Sequence, residues 1–407
     1  MEDVLSRFLR YVRIDTRSEE NRQSPTTRTQ FTLARMLAKE LEDMGASQVR
    51  LDEEHCYVYA RIPANLPGGK TAPAIGFIAH MDTSPAVSGE NVKPRVVEYT
   101  GGDIDLSGDG KYVLRPSEFP ILKRYEGQEL VVTDGSTLLG ADDKAGVAEI
   151  MTVCERVLAE KTPHGRIAVC FTPDEEVGHG AELLDLDRFG ADFAYTVDGG
   201  EAWEVNCETF NAAGASFEVK GFNIHPGAAK DKMINAALVA MEINSLLPAA
   251  ERPEHTEDHE GFFHLTEMKG NVEKAELHYI VRDHDAARFA AREKTLRQIE
   301  KFINEKYGAG TATLSLRPQY RNMIEKLEGH MEVVELAERA IRAEGLTPVR
   351  VPIRGGTDGA QLSFRGLLCP NLGTGGYCCH GPHEHISVEN MDQMTDVLLH
   401  LIRLNAE

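Results

Sequence analysis

The sequence predicts an α/β protein with a mostly parallel sheet and helices on both faces, together with an inserted α+β domain. Short apolar runs typical of buried strands alternate with segments whose apolar residues recur at helical spacing. The chain has 407 residues, more than one domain usually contains. A change of pattern near residue 211 marks the start of a second domain. These observations predict two domains, one of them discontinuous.

The first half of the chain alternates helices with strands. Apolar residues keep helical spacing over residues 31–44, and Gly45 is a suitable C-terminal stop. A second amphipathic helix is predicted over residues 142–160. The predicted buried strands are AIGFIAH (74–80), IAVCFT (167–172) and AYTV (194–197). Residues 88–137, richer in glycine, proline and polar residues, are predicted to be an excursion with short strands. This alternation is typical of a parallel sheet.

The middle of the chain has a different order of elements. It runs strand, helix, strand, helix, strand: ASFEVKG, residues 233–247, NVEKAELHYIVRD, residues 285–307 and TATLSLR. This order predicts a compact α+β domain over residues 211–322. Helical and βα patterns then resume, ending in an amphipathic segment at residues 391–402. We therefore expect residues 1–210 and 323–407 to form the larger, catalytic domain.

Charge and cysteine usage narrow the class of protein. The chain has 65 acidic and 44 basic residues, a net charge of −21 with histidine neutral, which argues against binding nucleic acids or anionic membranes. No apolar run approaches a membrane span, and the first residues lack the apolar core of a signal peptide. Seven scattered cysteines without a CxxC pair fit a reducing compartment. We expect a cytoplasmic protein that binds neither nucleic acid nor membrane.

Histidine and acidic residues cluster in five segments. They are His80-Met-Asp82, Gly140-Ala-Asp142-Asp143, Pro173-Asp-Glu175-Glu176-Val-Gly, Val197-Asp198-Gly-Gly and His380-Gly-Pro-His383-Glu384. Three of these segments begin where a predicted strand ends, and the carboxyl ends of strands line the ligand crevice of an open α/β sheet. A carboxylate at a helix start, such as Asp142, is also a natural cap. The residues alone leave both a metal site and ordinary structural roles open.

At these segments, and over essentially the whole chain, the sequence resembles the co-catalytic zinc exopeptidases. This group includes aminoacylase, carnosinase and glutamate carboxypeptidase. The resemblance is carried, in order, by IAHMDTSP, DGSTLLGADDKAGVAEI, FTPDEEVGHGA, VDGG, GFNIHPGAAKDKMINA, LHYIVRD, IRGGTDGA and NLGTGGYCCHGPHEH. It implies the zinc exopeptidase fold and a hydrolytic activity.

The resemblance implies two Zn²⁺ ions per subunit, for which Co²⁺ or Mn²⁺ could substitute. Asp142 would bridge the two ions. His80 and Asp198 would complete the protein ligands of the first ion, and Glu176 and His380 those of the second. The resemblance also implies a cis peptide bond between Asp142 and Asp143.

The C-terminal ligand has more than one candidate, because His380, His383 and His385 lie close together in the sequence. The resembled group has its ligand four residues before a glutamate, here Glu384. We therefore expect His380 to be the ligand, with His383 as the alternative.

Further roles follow from the same resemblance. Glu175 would be the general base, and Asp82 would hydrogen-bond the ring of His80 and fix its tautomer. His225 would stabilise the tetrahedral oxyanion. Arg282 and Arg354 could bind the substrate carboxylate as bidentate forks or could equally form structural salt bridges, and Asn235 is a further candidate contact.

Within the resembled group, the sequence is most similar to the branch that releases the N-terminal residue of tripeptides. We therefore expect an aminopeptidase whose partners are short peptides, and the resemblance also suggests a homodimer. A dipeptidase or N-acyl amino-acid deacylase with the same metals is the alternative, and a metal-binding protein without catalysis is disfavoured by the free base Glu175.

Two other motifs do not predict a site. GGTDG and GTGG do not match phosphate-binding loops, so nucleotide binding is not expected. His255 and His259 have the spacing of a helical metal pair, but Pro253 and Gly261 bracket them. We expect a loop there, and no metal bound by that pair.

Overall fold

The computed structural model describes residues 1–20 and 22–407. The helices, in chain order, are α1 (Val4–Tyr11), α2 (Gln30–Met44), α3 (Ala141–Glu160), α4 (Leu186–Phe189), α5 (Ala236–Ser245), α6 (Ala286–Tyr307), α7 (Ile324–Leu327), α8 (Glu332–Ala343), α9 (Asp358–Phe364) and α10 (Val388–Asn405). The strands are β1 (Ser47–Leu51), β2 (Val58–Ile62), β3 (Ile75–His80), β4 (Arg95–Tyr99), β5 (Ile104–Asp105), β6 (Val113–Leu114), β7 (Gln128–Val132), β8 (Ile167–Thr172), β9 (Phe193–Val197), β10 (Glu204–Asn206), β11 (Asn211–Lys220), β12 (Phe262–Gly270), β13 (Lys274–Asp283), β14 (Ala312–Tyr320), β15 (Val349–Arg350), β16 (Asn371–Leu372), β17 (Gly376–Tyr377) and β18 (His385–Ser387).

The chain divides into two compact units. Unit 1 consists of Met1–Cys207, Lys326–Val351 and Thr357–Glu407. Unit 2 consists of Glu208–Glu325 and the short segment Pro352–Gly356. The sequence pattern does not separate this short segment from its neighbours, so only the folded chain reveals that it belongs to unit 2.

Unit 1 is built on a sheet with the strand order β1-β2-β8-β3-β9-β16-β10-β15. Its centre is parallel, because β3 pairs in parallel with both β8 and β9, and β9 with β16. All residues of β3, β8 and β9 are buried, as expected for strands covered on both faces. The prediction of an α/β fold with a mainly parallel sheet is confirmed. Antiparallel pairs occur towards both edges, β1 with β2 and β2 with β8 on one side and β10 with β16 on the other.

A second, antiparallel sheet in unit 1 has the order β17-β18-β7-β4. It contains β4 and β7 from the predicted excursion at residues 88–137, which also holds the short pair β5 and β6. Strand β18 pairs with β7. This pairing fixes the C-terminal segment that carries His380 and Glu384 next to the earlier part of the chain.

Unit 2 is an antiparallel sheet, β12-β13-β11-β14, packed against α5 and α6. Strands β11 and β13 keep an unbroken register, from Asn211 opposite Asp283 to Lys220 opposite Lys274. The sequence predicted three strands and two helices here, and it missed β12. Most residues of β12 are exposed, so the strand lacks the buried apolar alternation that makes a strand visible in a sequence.

Among the described residues, no helix combines the length and the apolar character that crossing a bilayer requires.

Candidate metal centre

The side chains of the centre come from the ends of neighbouring strands and from one helix start. His80 is the last residue of β3, Glu175 and Glu176 form the turn after β8, and Asp198 follows β9 directly. Asp142 lies in the first turn of α3. Because β3, β8 and β9 are adjacent and parallel, their carboxyl ends meet at one edge of the sheet, where α/β proteins bind ligands.

Asp142 lies at the middle of this group and faces a different imidazole with each oxygen. Its Oδ1 is 3.0 Å from His80 Nε2, and its Oδ2 is 3.0 Å from His380 Nε2. Asp198 Oδ1 lies 3.7 Å from the same His80 nitrogen. Glu176 Oε2 lies 2.9 Å from the same His380 nitrogen. The arrangement therefore has two halves that share one carboxylate.

The ligand atoms are close enough for metal binding. The possible ligand atoms of His80, Asp142 and Glu176 lie within 4.8 Å of one another, as do those of His80, Glu175 and Asp198. These two groups divide the side chains differently from the predicted ligand sets, and the second contains the predicted base Glu175. Glu176 Oε1 is buried and has no hydrogen-bond partner among the described residues. Imidazole nitrogens and carboxylate oxygens suit Zn²⁺, Co²⁺ and Mn²⁺. The residues thus fit a metal centre. The peptide bond between Asp142 and Asp143 is cis, as the resemblance implied.

Crowded acidic groups dominate the electrostatics of the centre. Burial, reinforced by Asp198, raises the pKa of Glu175 well above its usual range. Burial and the nearby Asp142 raise the pKa of Glu176 to about 7. Burial acts in the same direction on Asp142, but hydrogen bonds from His380 and His80 outweigh it and lower its pKa overall. Carboxylates held this close together are stabilised by positive charge between them.

Asp82 organises both the ring of His80 and the turn that carries the two glutamates. Its Oδ1 is 3.3 Å from His80 Nδ1, and its backbone oxygen is 3.1 Å from the same nitrogen. The same carboxylate accepts the backbone N–H groups of Glu175 (2.9 Å) and Glu176 (3.2 Å). Asp82 is fully buried. One side chain thus positions a candidate ligand and the candidate base together.

Glu384 has a structural role that sequence reasoning missed. Its buried carboxylate accepts the backbone N–H groups of Leu139 (2.7 Å), Gly140 (2.8 Å) and Asp142 (3.0 Å). In the sequence Glu384 served only to mark the spacing to His380. Glu384 binds the backbone of residues 139–142, which lie far from it in the sequence. No sequence pattern around Glu384 therefore shows what its carboxylate binds.

Two further buried aspartates support the loops around the centre. Asp174, directly before Glu175, accepts hydrogen bonds from the Thr26 hydroxyl (2.6 Å) and the Gln30 amide (2.7 Å). Asp358 accepts a hydrogen bond from the hydroxyl of Thr172 at the end of β8 (2.8 Å). Burial raises the pKa of Asp358 to about 7. Neither aspartate was singled out from the sequence.

The alternative ligand His383 has an aromatic environment. Its ring centre lies 5.3 Å from that of Phe119 and 6.0 Å from that of Tyr112. The neighbouring His385 is buried, and its Nδ1 lies 2.9 Å from the backbone oxygen of His383. Of these three histidines, His380 is the one whose contacts are with Asp142 and Glu176.

Unit 2 contains the four other predicted site residues. His225 is exposed, and its Nδ1 accepts the backbone N–H of Gly227 at 3.1 Å. Asn235 caps α5, because its Oδ1 accepts the N–H groups of Ala237 (3.1 Å) and Leu238 (3.3 Å). The amide oxygen of Asn235 is thus engaged in the start of its own helix.

Both candidate arginines make local hydrogen bonds within unit 2. Arg282 donates to the backbone oxygens of Ala213 (3.3 Å) and Val281 (3.0 Å). Arg354 donates to several oxygens of residues 256–260. These acceptors are backbone and hydroxyl oxygens and not carboxylates, so the contacts are not the structural salt bridges that the sequence left open for the two arginines.

Comparison with known proteins agrees with this geometry. The sequence model described as Peptidase family M20/M25/M40 matches residues 131–404. Peptidase T of Alkaliphilus oremlandii (strain OhILAs) is 50% identical over 407 residues, which cover 99% of each chain. Among solved structures, aminopeptidase PepT from Bacillus cereus ATCC 10987 has a TM-score of 0.78 at 23% identity, covering 99% of this chain and 98% of that one. A tripeptidase from Staphylococcus aureus subsp. aureus Mu50 has a TM-score of 0.79 at 22% identity, with the same coverage. The chain belongs to peptidase family M20/M25/M40 and is a peptide hydrolase.

Proposed function

We propose that the protein is a metal-dependent aminopeptidase that releases the N-terminal residue of tripeptides. The observation that carries this proposal is the position of Asp142, whose two oxygens each face a separate imidazole at 3.0 Å. The Peptidase T relative supports the same activity at 50% identity over nearly the full chain. The solved structures named aminopeptidase and tripeptidase support it through their shared fold.

The proposed cofactor is a pair of Zn²⁺ ions, with Co²⁺ or Mn²⁺ as substitutes. The proposed ligands are His80, Asp142 and Asp198 for one ion and Asp142, Glu176 and His380 for the other. Bound divalent ions supply Lewis acidity, which polarises a peptide carbonyl and makes water more acidic. The side chains supply imidazole and carboxylate donors and no thiolate, a set found in catalytic zinc sites.

Glu175 is the proposed general base. Its side chain is half-buried, and burial raises its pKa well above its usual range. A raised pKa suits a carboxylate that must take up and release a proton near neutral pH. Asp82 fixes the backbone of Glu175 through a 2.9 Å hydrogen bond. Glu175 then accepts a proton from the attacking water and passes it to the leaving amine.

We keep four side chains of unit 2 as proposed substrate contacts. They are His225, Asn235, Arg282 and Arg354. The imidazole of His225 is exposed, and its Nδ1 accepts from the N–H of Gly227. Asn235 Oδ1, Arg282 Nη1 and both Nη atoms of Arg354 are hydrogen-bonded within unit 2.

A cytoplasmic homodimer is part of the same proposal. In unit 2, Leu238 and Met241 of α5 are 62% and 58% exposed, and Phe222 is 56% exposed. Leu238 and Met241 lie three residues apart on α5, and exposed apolar side chains of this kind favour a protein partner, here a second copy of the chain. The cysteines are present as thiols, which supports a reducing compartment.

The test is hydrolysis of matched peptides. We expect the zinc-loaded protein to cleave a tripeptide with a free N-terminus and to leave the N-acetylated tripeptide and the corresponding dipeptide largely uncut, as followed by chromatography of the released amino acid. Removal of metal with a chelator should abolish activity, and added Zn²⁺ should restore it. Equal cleavage of the N-acetylated peptide would point to a deacylase, and preference for the dipeptide would point to a dipeptidase.

The same assay includes Glu175→Gln, which removes the proposed base but keeps the size of the side chain. We expect kcat to fall by at least about 100-fold, the usual contribution of a general base, while the metal content stays unchanged. Glu182→Gln is the matched control, because Glu182 lies further along the same chain segment with its side chain 59% exposed. Near-normal kcat in Glu175→Gln would remove Glu175 from the mechanism.

A further inference from the structure

Unit 2 contains a cavity with metal-ligating side chains of its own. Its volume is about 360 Å³, and it lies beside the start of α6. Two imidazoles, His259 and His284, line it together with the carboxylates of Glu208, Asp285 and Glu325. Arg288 is the one basic side chain among the residues that line it. The lining therefore favours a cation over an anion.

His284 offers this cavity an unused acceptor. The residue is buried, with 6% of its surface exposed. Its Nε2 lies 3.1 Å from the backbone oxygen of Ile353. A carbonyl oxygen only accepts hydrogen bonds, so Nε2 carries the ring proton and Nδ1 carries a lone pair. That Nδ1 is buried and has no hydrogen-bond partner among the described residues, and burial lowers the pKa of His284, which keeps the ring neutral.

His259 has the same arrangement. Its Nε2 lies 3.1 Å from Glu208 Oε2, and a carboxylate likewise accepts, so Nε2–H donates and Nδ1 is left for another partner. Metal-binding histidines usually donate their second ring N–H to a carboxylate or a backbone oxygen, which orients the ring. Glu208 and Ile353 supply one partner of each kind.

The separation of the two rings suits a shared ion. The ring centres of His259 and His284 are 4.9 Å apart. Two imidazoles that bind one ion at a metal–nitrogen distance of about 2.0–2.1 Å and near-tetrahedral angles have ring centres roughly 5 Å apart. The rings are thus already spaced for joint coordination.

We propose that this cavity is a binding site for a divalent transition-metal ion such as Zn²⁺, with Nδ1 of His259 and Nδ1 of His284 as its protein ligands. Water completes the coordination, and the surrounding carboxylates offset the charge of the ion. With two protein ligands, this site binds zinc more weakly than the candidate centre in unit 1, which offers more. The proposed pair is His259 and His284, which lie far apart in the sequence, and it does not include His255. A search for histidines at helical spacing therefore does not find this pair.

The test counts zinc ions on the full-length protein. Metal-free protein is titrated with Zn²⁺ in competition with a chromophoric chelator, for the wild type and for His259→Gln. We expect the wild type to bind one more, weaker equivalent than His259→Gln. The side chain of His259 is 55% exposed, so its replacement spares the core, and circular dichroism checks the fold.

Two further variants sharpen the test. His255→Gln changes a histidine on the same loop that does not line the cavity, and it should bind as many zinc ions as the wild type. Glu208→Ala removes the partner that orients His259 and should weaken the extra equivalent by about 10–100-fold. Equal zinc counts in the wild type and His259→Gln, or loss of the extra ion in His255→Gln, would overturn the proposal. The number of bound zinc ions is measured without peptidase activity. The proposed metal site and the proposed function are therefore tested independently.

Discussion

A carboxylate can serve two ions only if each of its oxygens has its own set of neighbours, and Asp142 meets this condition. His80 and Asp198 lie on the side of one oxygen, and His380 and Glu176 on the side of the other. The backbone of Asp142 is held in turn by Glu384. At the scale of single residues, Glu384 holds the backbone of the residue that lies at the middle of the centre.

Replacing Glu384 tests that dependence. In Glu384→Gln, one end of the side chain becomes an NH₂ group, so either the N–H pair of Leu139 and Gly140 or the N–H of Asp142 loses its acceptor. We expect metal affinity to fall by about 10–100-fold, the usual effect of losing a group that orients a ligand. Metal retained after dialysis against a chelator measures this change.

The control is Glu389→Gln, which alters a glutamate of α10 that contacts the exposed backbone N–H of Glu129. This variant should retain metal like the wild type. If Glu384→Gln also retained metal like the wild type, Glu384 would not be the support that its hydrogen bonds indicate.

The sequence motifs predicted some residues of the centre and gave no indication of others. His80, Glu175 and Asp198 were predictable as candidates because each lies at the end of a strand, or within three residues of it, and the sequence shows these strands as apolar runs. Asp174 and Asp358 were not predictable, because their partners at Thr26 and Thr172 lie far away in the sequence. The predicted roles of the individual ligands stay predictions until variants are measured.

At the scale of elements, the close approach of helix α3 to strand β9 sets the width of the centre. A Cβ atom on Gly146 of α3 would lie 2.0 Å from the backbone oxygen of Val197, the last residue of β9. Asp142 begins this helix and Asp198 follows this strand. The absence of a side chain at Gly146 therefore lets the two aspartates approach each other.

Gly146→Ala should separate these two elements. Overpacking of this kind costs about 1–3 kcal/mol, and we expect that loss in the free energy of unfolding measured in urea, together with weaker metal binding. Gly214→Ala is the control, since no heavy atom lies within 4 Å of a Cβ built on this glycine of β11. An unchanged free energy of unfolding in Gly146→Ala would show that α3 and β9 can move apart without loss of stability.

Helices and strands were predictable where their buried residues form a continuous apolar run or recur at helical spacing. Strands β3, β8 and β9 are wholly buried and were found as apolar runs. Helix α2 was found with its C-terminal stop, since Gly45 adopts the left-handed conformation with a φ of 89°. Strand β12 was missed because its mostly exposed residues carry no such pattern.

At the scale of the whole molecule, stability should depend on pH through buried carboxyl groups outside the centre. Glu201 in unit 1 is 5% exposed and accepts a hydrogen bond from the Tyr125 hydroxyl at 3.1 Å. Burial raises its pKa from 4.5 to about 7. Between these values the folded protein holds a proton that the unfolded chain has released, so stability falls as the pH rises through this window.

Glu201→Gln should remove this dependence, because the amide does not titrate and still accepts from Tyr125. Each unit of pKa shift corresponds to about 1.4 kcal/mol. Between pH 5 and pH 8 we expect the wild type to lose about 2–3 kcal/mol more free energy of unfolding than Glu201→Gln, as measured in urea at both values. Glu53→Gln, whose side chain is 65% exposed, should behave like the wild type. Parallel pH profiles for wild type and Glu201→Gln would contradict the assignment.

The division into units shows what sequence patterns can and cannot convey at this scale. The change in the order of helices and strands near residue 211 is visible in the sequence. Assignment of Pro352–Gly356 to unit 2 depends on contacts such as that of Ile353 N with Glu208 O at 2.9 Å, which join parts of the chain far apart. The domain boundaries predicted at residues 210 and 322 stay predictions.

The shared carboxylate also has a consequence during synthesis. His80 leaves the ribosome long before His380, and Glu384, which accepts the backbone N–H of Asp142, follows His380. A nascent chain that has not reached residue 380 therefore lacks both the imidazole that faces Asp142 Oδ2 and the carboxylate that holds the Asp142 backbone. The contacts around Asp142 are thus completed only after these two residues have been synthesised.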